Sequence, residues 1–107
     1  MGASPGQFAL DEYGLLRNPD NWSPELGRQL AARNGIGELT EHHWAFIYAL
    51  RAYYAKFNAP PPPHKVCHDL HLRHNCAHEL FDTCLNAWRI AGLPDPGEEA
   101  KTYLSAD

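Results

Sequence analysis

Five of the seven histidines and two of the three cysteines of this chain fall between His64 and His78, in the order His64, Cys67, His68, His71, His74, Cys76, His78. Thiolate and imidazole are the donors that soft and borderline divalent metals prefer. On a helix, Cys67, His71 and His74 share one face at i, i+4 and i+7, and His64, His68 and His71 offer a second set. Cys67, His71 and His74 are the candidate metal ligands on this reading. The stretch lacks the paired Cys-x-x-Cys of a closed zinc site. A histidine-rich surface with no metal, or one that responds to pH because imidazoles titrate near neutrality, accounts for the same residues.

The third thiol, Cys84, stands four residues after Leu80 and four before Trp88, on an apolar stripe where cysteine usually acts as a small inert hydrophobe. Core packing is the expectation, and a displaced functional thiol is the alternative. His42-His43-Trp44 suggests an acid/base pair, but no carboxylate or nucleophile stands at a workable spacing, so capping and packing is the expected role. Arg51 falls among aromatic residues; it is either an anion or tail-carboxylate binder or an arginine whose apolar stem lies along a helix edge. No motif calls for a cofactor.

The elements that must position these groups are helical. Ser23-Pro24-Glu25 supplies a cap hydroxyl, a proline at the first helical position and an early carboxylate, which predicts a helix from about Pro24 to Asn34, ended at Asn34-Gly35. Thr40 caps the next and strongest helix, where Trp44, Ile47, Tyr48, Arg51, Tyr54 and Ala55 recur at helical spacing as far as Asn58, and which is expected to be central. The prolines 60–63 stop it, and the last can open a helix over about Pro62 to His74. Asn75 begins a further helix whose face is Ala77, Leu80, Phe81, Cys84, Leu85 and Trp88, ending at Gly92. Before these helices, residues 8–16 read as a small β-hairpin or extended arm, and residues 1–7 as disordered. Residues 93–107 read as a C-terminal arm stiffened by Pro94 and Pro96, with at most a helical turn between Glu98 and Leu104. The expected fold class is therefore mainly α, a small bundle of four main helices in a helix-turn-helix-like arrangement over residues 8–92.

A chain of 107 residues that is 44% hydrophobic fits one core and one domain. No apolar run is long enough for a membrane span, and the first residues have no signal-peptide pattern, which predicts a cytoplasmic protein. An odd cysteine count there predicts reduced thiols. A formal charge of −4 counts against a broad nucleic-acid footprint.

Several motifs together resemble the DsrC/TusE sulfur-relay family, which includes the gamma protein of dissimilatory sulfite reductase and the carrier used in transfer-RNA thiolation. They are Asp11-Glu12-Tyr13-Gly14-Leu15-Leu16 with Asn21-Trp22-Ser23, then Gly35-Ile36-Gly37-Glu38-Leu39-Thr40 with His43-Trp44, then Leu50-Arg51-Ala52-Tyr53-Tyr54, and finally Leu80-Phe81 with Ile90-Ala91-Gly92-Leu93-Pro94. The resemblance spans about residues 10–96. It implies a sulfur-carrying cysteine near the end of the arm and, in sulfite-reductase partners, a second one eleven residues earlier. Those positions here are Glu99 and Trp88, and neither can hold a persulfide. The loop before the fourth helix is shorter than in the family, and Asp82-Thr83-Cys84 replaces a Pro-Lys-Gly-Pro-type stretch.

What the resemblance implies is thus a non-catalytic binding or regulatory protein of sulfur metabolism, not an enzyme, with Arg89, Asp95 and Glu99 as contacts to a sulfite-reductase-like, heterodisulfide-reductase-like or sulfurtransferase partner. The alternative is a sulfur carrier that uses Cys84, Cys67 or Cys76. DNA binding through the helix-turn-helix-like arrangement and metal binding by the His/Cys segment are further alternatives.

Overall fold

The structure, a computed structural model, describes residues 10–106. The expected disordered segment 1–7 and the first residues of the N-terminal arm lie outside the described residues. Leu10 and Leu16 form a single antiparallel bridge around a turn in which the Asp11 carboxylate accepts from the amides of Tyr13 (2.8 Å) and Leu15 (3.0 Å). Gly14 takes the left-handed φ of 79° that this turn requires. Leu15 and Leu16 are fully buried, so the turn lays two leucines into the helical core.

Six helices follow a 3-10 turn at Pro19–Asn21: α1 (Pro24–Arg33), α2 (Glu41–Phe57), α3 (Pro63–Asp69), α4 (Cys76–Phe81), α5 (Cys84–Ile90) and α6 (Glu98–Ala106). The caps expected at Ser23, Asn34 and Thr40 form, whereas Asn75 precedes α4 without a side-chain cap hydrogen bond. Ser23 Oγ accepts from Leu26 N, Asn34 ends α1, and Thr40 shares a capping box with His43. Asn58 closes α2 in the left-handed region with φ 55°.

Three expectations about the helices need correction. The buried face of α2 is Phe46, Ile47 and Leu50, whereas Tyr48 is 48% exposed and Ala55 lies outside, so the aromatic spacing misjudged the inward face. The helix expected over 62–74 stops at Asp69, because His71 adopts a left-handed φ of 60° and Leu72 N returns to the Cys67 carbonyl at 2.9 Å. The helix expected from Asn75 to Gly92 is two helices. Asp82 at φ 73° breaks it, and Thr83 Oγ1 caps α5 by accepting from Asn86 N at 3.1 Å. Most of the apolar register survives the break: Ala77, Phe81, Cys84, Leu85 and Trp88 are buried, whereas Leu80 is only partly buried.

The longest helix, α2, touches α3, α4 and α5, but the hub is α5, which packs on α1, α2, α4 and α6. The tail is not a loose strap. α6 buries Ala100, Lys101 and Leu104, the last completely. Among the described residues no helix is long and apolar enough to cross a membrane.

A disulfide joins Cys67 of α3 to Cys76 of α4, with Cα atoms 5.7 Å apart, correcting the expectation of three reduced thiols. Two short helices that pack on each other across a turn bring the two positions into bonding range, which the linear count could not reveal.

Two stability outcomes follow. A Cβ at Gly92, which has φ 70°, would overlap Trp22, whereas one at Gly37 meets nothing within 4 Å. Gly92→Ala should cost at least about 2 kcal/mol in denaturant unfolding, and Gly37→Ala no more than about 0.5 kcal/mol. Replacing Cys67 and Cys76 together by serine should cost about 2–3 kcal/mol, the chain entropy of a loop of this length.

Candidate functional site

The segment after α5 is where chemistry was expected, and its geometry is set by side chains that fasten it. Trp88 is completely buried, stacks edge-on against Tyr54, and donates its indole N–H to the Pro94 carbonyl at 2.7 Å. Trp22 donates to the Ile90 carbonyl at 2.9 Å, and Arg51 Nη1 to the Ala91 carbonyl at 2.6 Å. The Arg51 guanidinium lies 4.3 Å from the Trp22 ring centroid and also donates to the Pro19 carbonyl at 3.2 Å. Burial lowers its pKa, against the opposing pull of Asp20 and Tyr48. Arg51 therefore clasps backbone, and among the described residues no tail carboxylate is its partner.

Beyond Pro94, Asp95 folds the chain into α6. Its carboxylate accepts from Gly97 N at 2.8 Å and from Lys101 Nζ at 3.0 Å. The ammonium of Lys101 also lies 3.4 Å from the Tyr13 ring centroid and 3.5 Å from Glu98 Oε2. Removal from water works against its charge, but the Asp95 hydrogen bond, with Asp95, Glu98 and Tyr13 nearby, outweighs that and raises its pKa. The Gly97 amide and then Lys101 hold the Asp95 carboxyl below its ordinary value. Pro94 and Asp95 thus form one wall of a cleft of about 500 Å³ whose other wall is Asp11, Glu12, Tyr13 and Arg17.

The three residues expected as partner contacts separate here. Arg89 Nε donates to the Tyr13 carbonyl and Nη1 to Asn86 Oδ1, both at 2.7 Å, so this side chain pins the N-terminal turn to α5. Asp95 is committed to the latch just described. Glu99 is exposed on α6. Sequence reasoning missed Lys101, although a lysine six residues after Asp95, beyond a Pro-Gly turn, was a readable signal.

The sulfurs are placed as follows. Cys84 is fully buried at the start of α5, under α6, and burial followed by the neighbouring Cys84, Glu99 and Tyr53 raises the pKa of Tyr103. Cys67 spends its sulfur in the disulfide, and His71 and His74 follow it in the turn after α3, not on a shared helical face. The expected Cys67, His71 and His74 metal site is therefore not assembled. Among the described residues, no group of three His, Cys, Asp or Glu is placed to hold a metal ion. His43 has the capping role expected of it: its Nδ1 accepts from Thr40 N at 3.0 Å, so Nε2 carries the proton that is donated to the Leu80 carbonyl at 2.8 Å.

The latch sets a pH dependence. Because the folded-state pKa of Asp95 is depressed, its contribution is complete above 3.8 and is lost as pH falls through the lower folded value. That of Lys101, whose pKa is raised, is complete below 10.5 and lost in stronger alkali. Amide hydrogen exchange should show α6 loosening in acid below the ordinary aspartate range. In Asp95→Asn, α6 should be looser at neutral pH, and the acid limb should be absent.

Comparison with known proteins places this arrangement. The family model described as DsrC like protein matches residues 4–98. The sulfurtransferase TusE of Yersinia pseudotuberculosis is 33% identical over 95 residues, covering 80% of this chain and 87% of that protein. The gamma subunit of dissimilatory-type sulfite reductase from Nitratidesulfovibrio vulgaris is 30% identical over 91 residues, covering 83% of this chain and 87% of its own length. The crystal structure of the oxidized gamma subunit, DsrC, from Archaeoglobus fulgidus superposes with a TM-score of 0.74 at 33% identity, covering 85% and 90% of the two chains. The solution structure of Allochromatium vinosum DsrC gives 0.74 at 32% identity over 92% and 95%. With the match running from the N-terminal turn to the start of α6, and the helices superposing at that level, the chain belongs to the DsrC/TusE family.

Proposed function

We propose that this chain takes part in a sulfur relay, docking on a protein partner of sulfur metabolism of the sulfite-reductase-like, heterodisulfide-reductase-like or sulfurtransferase kind. Membership of a family whose named relatives are a sulfurtransferase and a sulfite reductase subunit supports the pathway. How the chain acts divides into two readings. The relatives' names favour a carrier, and on that ground the carrier reading is the better supported. A carrier here must hold sulfur on Cys84, Cys67 or Cys76.

The geometry favours docking without transfer, and one observation carries it. At the two places where the family resemblance implies thiols, this chain has Trp88, buried and bonded to Pro94, and Glu99, exposed on a packed helix. A persulfide needs a thiolate that can reach its donor. Cys84 is enclosed and the other two sulfurs are bonded to each other. We assign the chain no catalysis of its own and a cytoplasmic setting, the latter from the sequence. In that setting the disulfide is a bond that cycles with the thiol pool.

Intact mass measurement of the full chain after incubation with a persulfide donor separates the readings, run once on the chain as purified and once after dithiol reduction. Docking without transfer predicts no added sulfur on either form. One added sulfur per chain at a single cysteine, lost in the matching Cys→Ser variant, would establish the carrier instead.

A further inference from the structure

We infer that the α3–α4 hairpin is a redox switch: a reductant of the dithiol class opens the Cys67–Cys76 bond by attack at Cys76, and residues 63–76 then pass from ordered to open while the rest of the bundle stays folded. The inference goes beyond the sulfur-relay reading and does not rest on it.

The bond is the strongest restraint on a segment that is otherwise weakly held. α3 has seven residues and α4 six, well short of the roughly 12–15 at which a helix begins to persist by itself in water. Neither has a side-chain cap bond at its N-terminus. The turn between them carries His71 in the left-handed region, a conformation that lasts only where the surroundings fix it. Pro63, Val66 and Cys67 are the buried residues of α3, and Cys76, Ala77 and Phe81 those of α4, so the bonded pair is central to what seats the hairpin. The ion pairs Lys65–Asp69 at 3.0 Å and Arg73–Glu79 at 3.4 Å are exposed, a setting in which such pairs contribute little. The His64 and His74 rings, stacked with centroids 3.7 Å apart, are also at the surface. A cross-link between residues nine apart therefore does most to keep the hairpin shut, by an entropic restriction that corresponds to about 30- to 100-fold in the open population.

The opening has fixed ends. Downstream, Phe81 is fully buried with its ring centroid 5.1 Å from His43 and 5.5 Å from Phe46, and His43 Nε2 donates to the Leu80 carbonyl at 2.8 Å. The end of α4 is thus tied to α2 without help from the disulfide. Upstream, Pro61 is fully buried and holds the chain before α3.

Access decides which sulfur is attacked. Cys67 is fully enclosed, whereas Cys76 borders a cleft of about 220 Å³ that Leu72, Arg73 and Glu79 also line. One thiolate of the dithiol attacks Cys76 Sγ, the bond between the cysteine sulfurs breaks, and Cys67 leaves as a thiolate. The second thiolate of the reductant then closes on the first sulfur and releases Cys76. Two electrons pass to the protein disulfide, and the two protons that the dithiol gives up end, through water, on Cys67 and Cys76.

The test is amide hydrogen exchange on the full chain, oxidised and after incubation with dithiothreitol under native conditions. In the reduced chain the amides of residues 64–76 should exchange about 30- to 100-fold faster than in the oxidised chain, with those of α5 remaining slower than them by more than about tenfold. Trypsin cleavage after Arg73, an exposed residue of the turn, should speed up with them. The double variant Cys67→Ala/Cys76→Ala should exchange as the reduced chain does, with or without the dithiol. Three results would overturn the inference: unchanged exchange in the reduced hairpin, equal loss of protection in the hairpin and α5, or a disulfide that the dithiol reduces only after denaturant is added. The first two are read on the native sequence, so they hold even where the double variant does not fold.

Discussion

The carbonyl groups at the C-terminal end of α5 are the point on which the rest of the molecule depends. A helix end leaves its last carbonyls without partners, and buried ones must find donors elsewhere. Here two donors come from distant parts of the chain, Trp22 from the segment before α1 to Ile90 and Arg51 from α2 to Ala91, while Trp88 of α5 itself takes Pro94 just beyond. Two other elements are thereby tied to one short stretch. Gly92 makes the approach feasible, since any side chain there would occupy the place of the Trp22 ring. Among the described residues no buried side-chain polar atom is left unpaired, so this satisfaction extends through the interior.

Much of this was legible from sequence where the signal is local. Ser23-Pro24, Thr40 with His43, and Asn34-Gly35 act within a few residues of themselves, and the helices they bound stand where expected. The apolar spacing of Ala77, Phe81, Cys84 and Trp88 also identified a buried face, yet gave no warning that Asp82 interrupts it. A single left-handed residue followed by a threonine cap preserves the face while ending the helix. The latch of Lys101 on Asp95 and Tyr13 and the pairing of Cys67 with Cys76 were out of reach for a different reason. They depend on how separate elements meet, and spacing along one helix carries no information about that.

Family membership and local chemistry pull apart in an informative way. The scaffold is kept closely enough to superpose on DsrC structures, while the two positions of the implied thiols have become a structural tryptophan and a surface glutamate. Trp88, at a position where the resemblance implies a thiol, is a large side chain with a donor, so it gives the arm a fixed anchor there. The remaining sulfurs sit in the core and in the α3–α4 hairpin, on elements other than the arm.

The clamped arm has a thermodynamic corollary for any protein that would seize residues 93–97 as an extended peptide. Only molecules in which Lys101 has let go of Asp95 and Leu104 has left its seat offer that peptide, and the apparent affinity is the intrinsic one scaled by the size of that minority. Whatever recognises the closed form, reading the outer surface of α6, works on the majority and meets no such tax.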